Sequence, residues 1–320
     1  MSQSHTLLLR LFRQILFPNQ MDLEPGIAPP GKSKAYILFA AGLLFAILWP
    51  SAATATKIGL QHAQPFVICI ARFFTAGFFM LFVTHGILRK RLPQKQEWKQ
   101  LAIYGLLNIT IYLGMYVLAM QHVSAGLGSL AVATNPVFIS LITTFLFGHT
   151  IKLLTVISLL LCAGGVLLAA YPMLLKSSAT TFGIIILMIC MLVYSAGAIY
   201  FSKRKWNDLH NLTINGWQTT LGGLFLLPLA LATYKPALNH YDISFAGAVL
   251  WLAIPVSIIA VLLWLYLLKD NVVKASFWLF LCPVSGYVVA NIIMHEAIGA
   301  YTIGGMALVM AGLYLVQRKR

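Results

Sequence analysis

Two stretches decide how this chain folds. One is SAGLGSLAVATNPVFISLITTFLFGHTI, Ser124 to Ile151, followed by CAGGVLL at Cys162 to Leu168; the other is YLLKDNVVKASFWLFLCPVSGYVVANIIMHEAIGAYTIGGMALVMAGLYLV, Tyr266 to Val316. At a shift of 147 residues, without a gap, they pair Ser129 with Ser276, Pro136 with Pro283 and Val137 with Val284. The same shift pairs Ile151 with Ile298, Thr155 with Thr302 and Gly165 with Gly312. Both stretches are apolar over the roughly 20 residues that a membrane helix needs. The chain therefore reads as a duplicated membrane-embedded unit.

Working outward, ten apolar runs appear: 36 to 56, 65 to 85, 101 to 120, 126 to 147, 153 to 171, 182 to 201, 214 to 233, 246 to 268, 276 to 293 and 301 to 316. Short links leave no room for a soluble domain, so backbone polar groups must be satisfied within helices. The expected fold is an all-α membrane protein of ten transmembrane helices. Its units are an N-terminal segment 1–34, a first repeat 35–172 and a second repeat 180–317. Five helices is an odd number, so the second repeat enters the bilayer from the opposite side. Such tandem inverted five-helix repeats place a substrate site near the midplane between the halves, and rocking of the halves gives alternating access.

Composition agrees. Only 9% of the 320 residues are charged, 60% are hydrophobic and mean hydropathy is +0.86, far from the soluble average of about a quarter charged. The net charge of +15 does not imply nucleic acid, because the basic residues sit in short links between apolar runs. They are topology signals. On one side of the bilayer fall 18 of the 22 Lys and Arg; Lys57, Lys176 and Lys235 fall on the other, and Arg72 lies within the second run. Both termini are thus expected in the cytoplasm, with the chain in the inner membrane. Residues 1 to 34 lack a cleavable hydrophobic core, since Arg10 and Arg13 interrupt it. That segment is an amphipathic helix on the leaflet, with Leu8, Leu11, Phe12 and Ile15 on one face, or a disordered tail, or an overlong start with the true one at Met21. Cys69, Cys162, Cys190 and Cys282 lie in apolar runs without metal-ligand spacing. No metal, cofactor or catalytic cluster is implied.

The duplicated stretches resemble the closing helices of the EamA repeat in the drug/metabolite transporter superfamily. The first helix pair fits too, with Trp49, Lys57 and ARFFTAG from Ala71 to Gly77. The resemblance covers residues 35 to 317 and implies export or exchange of small organic compounds, such as amino acids and other metabolites. One departure is visible: the family's usual Glu after helix four is His149 here, while Glu296 keeps it in the second repeat. The small multidrug pumps of the same superfamily use an intramembrane carboxylate. None of the seven acids here lies mid-helix, which argues against proton-coupled export of hydrophobic cations. His149 and Glu296 are expected to tie down the turns beside them.

Candidate substrate contacts are the uncharged polar and aromatic residues within the spans. Asn108, Tyr112 and Tyr116 recur every four residues and so share one helical face. This stripe is the first choice, with Trp278 facing it from the second half. Trp49, Asn135, Tyr287 and Asn291 are further candidates, beside Tyr194, Trp217, Gln218, Trp264 and Ser285. Any of the aromatics can instead be an interfacial anchor. Arg72 is the one charge inside a span. Either it or Lys57 attracts a substrate carboxylate or phosphate, or Arg72 bonds to helix carbonyls while Lys57 snorkels. Pro136, Pro283, Gly164 and Gly165 are expected to shape helices by kinking or close packing. The expected partners are a small-molecule substrate and the lipid bilayer; oligomeric state is not legible.

Overall fold

The computed structural model describes residues 31–146, 153–175, 179–270 and 278–317. The expectations for the N-terminal stretch, His149, and the basic residues Lys152, Lys176, Lys274 and Arg318 to Arg320 lie outside the described residues.

Ten helical spans follow one another, with no strand among the described residues. The first, α1, is Gly31–His62. Next, α2 is Pro65–Ile87, started by a proline whose missing N–H costs nothing in the first turn. Lys95–Met120 forms α3, opened by a capping box between Gln94 and Glu97. The fourth span, α4, comes in two pieces, Ala125–Val132 and Asn135–Leu146. Leu153–Leu175 is α5. Thr181–Lys203 is α6 and Asn211–Thr233 is α7, capped by Thr180 and His210. The eighth, α8, joins Ile243–Trp251, Leu252–Ala260 and Val261–Asp270 without a gap, and Asp242 accepts from the Phe245 N–H at its start. That bond, reinforced by His62 at 2.8 Å, holds the Asp242 carboxyl below the usual range. A single 3₁₀ turn, Trp278–Phe280, leads into Leu281–Met294 as α9, and Ala300–Gln317 is α10.

Five of these helices are long and apolar enough by length and composition to cross a membrane, and four shorter apolar helices accompany them. The tenth, α7, opens on the polar run NLTINGWQTT. Side chains are sorted for lipid. Phe39, Phe82, Leu160, Leu167 and Ile292 face outward, whereas Arg72, Asn215, Gln218 and Thr219 are buried. Polar groups inside and apolar groups outside is the arrangement that a hydrocarbon solvent favours.

The repeat is visible as geometry. Cys162 on α5 donates to the Val309 carbonyl on α10, a pair 147 residues apart. On either side the contacts are reciprocal: Gly165 meets the Gly305 carbonyl, and Gly312 meets the Ser158 carbonyl. Residue 305 is the shift partner of 158, and 312 that of 165. An exchange of this kind, with numbers rising along one helix as they fall along the other, requires a two-fold axis between antiparallel helices. The repeats are therefore inverted. Elsewhere, α3 packs on α6 as α8 packs on α1, and α4 on α6 as α9 on α1.

Local irregularities repeat too. A π-helical turn occupies Leu106–Ile111 in α3 and Leu252–Ala260 in α8. In each, a hydroxyl reaches back five residues to a carbonyl: Thr110 to Gly105 at 3.5 Å, Ser257 to Leu252 at 2.8 Å. Both members of the second pair lie 147 residues after those of the first. The sequence run 126 to 147 reads as unbroken, and the helix is interrupted within it. In α4, Ala133 and Thr134 bond back three residues rather than four, and the Thr134 hydroxyl takes the Ala131 carbonyl at 2.6 Å. Pro136 has no N–H for the Val132 carbonyl, and it disfavours helical backbone at Asn135. Pro136 restarts the helix here rather than kinking it. Gly164 meets nothing within 4 Å, so close packing belongs to Gly165 alone.

Candidate functional site

Between the halves lies a cavity of about 630 Å³, walled by α1 to α4 of the first repeat and α6 to α8 of the second. At one end its wall reaches the exposed Ser202 and Lys203. At the other it stops at Arg72, Phe73 and Tyr116, all buried. Beyond that end the helices are tied together. Lys57 donates to the Met120 carbonyl at 2.7 Å, capping the C-terminus of α3. Glu296 accepts from the Ala125 and Gly126 N–H groups at 2.6 and 2.9 Å, capping the N-terminus of α4.

A continuous polar seam crosses the wall through four helices. Asn108 donates to Gln218 at 3.3 Å, Gln218 to Asn215 at 2.9 Å, and Asn215 to the Ser257 carbonyl at 2.9 Å. The Ser257 hydroxyl accepts from Arg72 Nε at 3.0 Å. Each link satisfies a group whose burial alone would be costly. The same wall carries aromatic rings: Tyr112 lies 4.9 Å from Tyr194 and 6.1 Å from Tyr116 between centroids, and Trp264 stacks on Phe45 at 4.9 Å. Apolar and aromatic walls with a few fixed polar groups suit a small organic solute.

Of the residues singled out from sequence, Trp49, Arg72, Asn108, Tyr112 and Tyr116 lie on this wall, as do Tyr194, Gln218 and Trp264. Four candidates do not. Trp278 lies across Gly42 of α1, where even a Cβ would collide with its ring, and meets Phe39 edge-on at 5.5 Å. Its bulk is matched by a glycine in the neighbouring helix, so the size difference from its shift partner Ala131 packs α9 rather than shaping the cavity. Asn135 sits at the break in α4, its carbonyl accepting from Ser195 at 3.3 Å. Tyr287 is wholly buried over Gly126. Asn291 is exposed and donates to the Glu296 carbonyl at 2.8 Å, holding the turn into α10.

Two others of the wider set also stand apart. Trp217 donates to His85 at 3.1 Å, and Ser285 bonds carbonyls on α1 and α9. The Glu296 side chain does not clamp its own turn; it reaches the first repeat instead. Arg72 bonds a hydroxyl rather than helix carbonyls. Asn215, Ser257 and Tyr104 also lie on the wall, and helical spacing had not singled them out. Asn215 and Gln218, three apart in an apolar run, carried a signal of a shared polar face; Ser257 carried none.

The fold and the sequence have relatives. A solved crystal structure superposes with a TM-score of 0.61 at 16% identity, covering 87% of this chain and 95% of that one, which shows a shared fold. An uncharacterized transporter of Archaeoglobus fulgidus is 27% identical over 290 residues, covering 90% of this chain and all of the relative. A WAT1-related chloroplastic protein of Arabidopsis thaliana is 26% identical, over 84% of this chain and 66% of the relative. Protein PecM of Dickeya dadantii is 23% identical, over 84% of this chain and 89% of the relative. The sequence profile of the EamA-like transporter family matches twice, at residues 34–171 and 181–318. With nearly its whole length accounted for by two copies of that unit, the chain belongs to the EamA-like transporter family.

Proposed function

We propose that this protein is a secondary carrier that exports a small organic metabolite, an amino acid or a solute of similar size, across the inner membrane. The observation that carries the reading is the cavity between inverted halves: open toward one face, closed toward the other, and walled by both repeats. A carrier needs such a compartment with one access at a time, and two-fold related halves supply the second state by exchanging roles. The positive loops support a topology with both termini, and with them the open end, in the cytoplasm. An inward-facing cavity loads solute for outward passage. Solute contacts are assigned to Asn108, Tyr112, Tyr116, Trp49 and Gln218, where amides and hydroxyls lie beside aromatic faces.

The test is substrate-driven counterflow with purified protein in liposomes, across a panel of amino acids and nucleotide-like metabolites. Trans-stimulated uptake of at least one solute is expected. Uptake that ignores the trans side would mark a pore, and no uptake of any solute would remove the carrier reading.

A further inference from the structure

We propose that the closed end of the cavity is a carboxylate site, in which the Arg72 guanidinium takes the carboxylate of an organic solute through its two Nη groups. The proposal rests on the carrier reading and names the class of solute that the same cavity accepts.

Arginine carries five N–H donors in a fixed fork. One, on Nε, is used by Ser257. For the four on Nη1 and Nη2 there is no hydrogen bond or ion pair among the described residues. Only 9% of Arg72 is exposed, and it lies on the cavity wall with its guanidinium 5.9 Å from the Phe73 ring centroid. Among the described side chains, the acids that could neutralise it are engaged elsewhere or remote. Glu97 holds Arg91 through two bonds of 2.8 Å, Asp242 holds His62, and Glu296 caps α4. Asp208 is exposed beyond the end of α6, on the cavity's open side.

A buried charge with no partner costs several kcal/mol, and an arginine within a span marks a pathway or a pairing. Fixing Nε to Ser257, itself held by the π turn of α8, orients the fork and leaves its Nη groups available. Carboxylate is the anion that fits. Its single charge balances one cation, and its two oxygens match the fork. The remaining wall near Arg72 is neutral: Asn108, Tyr112, Tyr116 and Gln218 provide no second cation for a phosphate dianion. The apolar faces of Phe73 and Ile109 and the rings of the tyrosines receive the body of the solute.

The experiment compares 3-phenylpropionate with its uncharged amide, with 2-phenylethylammonium and with phenyl phosphate. Binding is read from the fluorescence of Trp49 and Trp264 on the wall, and counterflow is measured in liposomes. The carboxylate is expected to bind about thirtyfold or more tighter than the amide, the range for a buried hydrogen-bonded charge pair. In Arg72→Gln that ratio falls to about one, with Arg72→Lys between them because a point charge lacks the fork. Ser257→Ala keeps the charge but frees the fork, and carboxylate affinity falls severalfold while the unfolding temperature of the purified protein shows the fold intact.

Equal binding of carboxylate and amide by the unaltered protein, or an unchanged ratio in Arg72→Gln, overturns the site, as does preference for phenyl phosphate. If an Arg72 variant fails to fold, the unaltered protein's ratio and Ser257→Ala decide alone. Counterflow of the amide or the ammonium compound without the carboxylate removes this proposal and leaves the carrier standing. Absence of binding and counterflow for every member removes both.

Discussion

Glu296 lies in the loop before the last helix, yet its carboxylate accepts N–H groups of Ala125 and Gly126, more than 160 residues earlier. Local spacing favoured a clamp on its own turn because a sequence displays neighbours along the chain, not across it. Exposed N–H groups at a helix start attract an anion, with a typical worth of about 0.5–2 kcal/mol. Glu296→Gln removes the charge and one of two acceptor oxygens, so the unfolding temperature in detergent should fall while counterflow persists. Loss of flux at an unchanged unfolding temperature would instead make Glu296 part of the transport chemistry. The wall was legible from sequence where residues repeat at helical spacing, as Asn108, Tyr112 and Tyr116 do. Ser257 was not legible, because a lone hydroxyl in an apolar helix reads the same whether it faces a carbonyl or an arginine. Trp278 misled for the opposite reason: a large ring opposite a small shift partner implies a pocket only if nothing else fills the gap, and Gly42 lets α1 approach it.

The ten spans followed from apolar length and charge alternation, which depend on composition and so survive without contacts. The interruption of α4 did not, although Pro136 marks it, because a proline in lipid can equally well be absorbed as a kink. The π turns gave no sequence signal, since an extra residue in a turn leaves apolar spacing nearly unchanged. Two neighbouring glycines on α5 test how closely it packs on α10. A Cβ on Gly165 would stand 2.6 Å from the Gly305 carbonyl and 2.8 Å from a Val309 methyl, against backbone that cannot yield alone. One on Gly164 meets nothing within 4 Å. Gly165→Ala should therefore push α5 and α10 apart and cost about 1–3 kcal/mol, the usual penalty of overpacking. Gly164→Ala should be neutral or gain up to about 1 kcal/mol from helix propensity. Thermal unfolding of the two purified variants checks this; equal behaviour would mean that the α5–α10 contact does not set stability.

At the scale of the molecule, charge and shape point the same way. Arg89 to Arg91, Lys95, Lys99 and Lys203 to Lys205 gather at the end where the cavity wall reaches solvent, whereas Lys57 and Lys235 lie toward the closed end. If positive loops mark the cytoplasm, the cavity faces inward, and the Lys57 and Glu296 contacts are those that must release when it turns outward. Impermeant thiol labelling tests both inferences together. The four native cysteines are buried, so an added one supplies the signal. In intact cells Lys235→Cys should label from outside, whereas Lys205→Cys should label only after the membrane is opened. Ser202→Cys lies on the cavity wall near its mouth and should behave like Lys205→Cys; a solute that occupies the cavity should slow its labelling but not that of Lys205→Cys. Labelling of Lys205→Cys in intact cells with protection of Lys235→Cys would invert the topology and turn the same cavity outward. Protection of Lys235→Cys and Ser202→Cys alike, before and after opening, would show that neither position meets water, and the open end would have to be placed elsewhere.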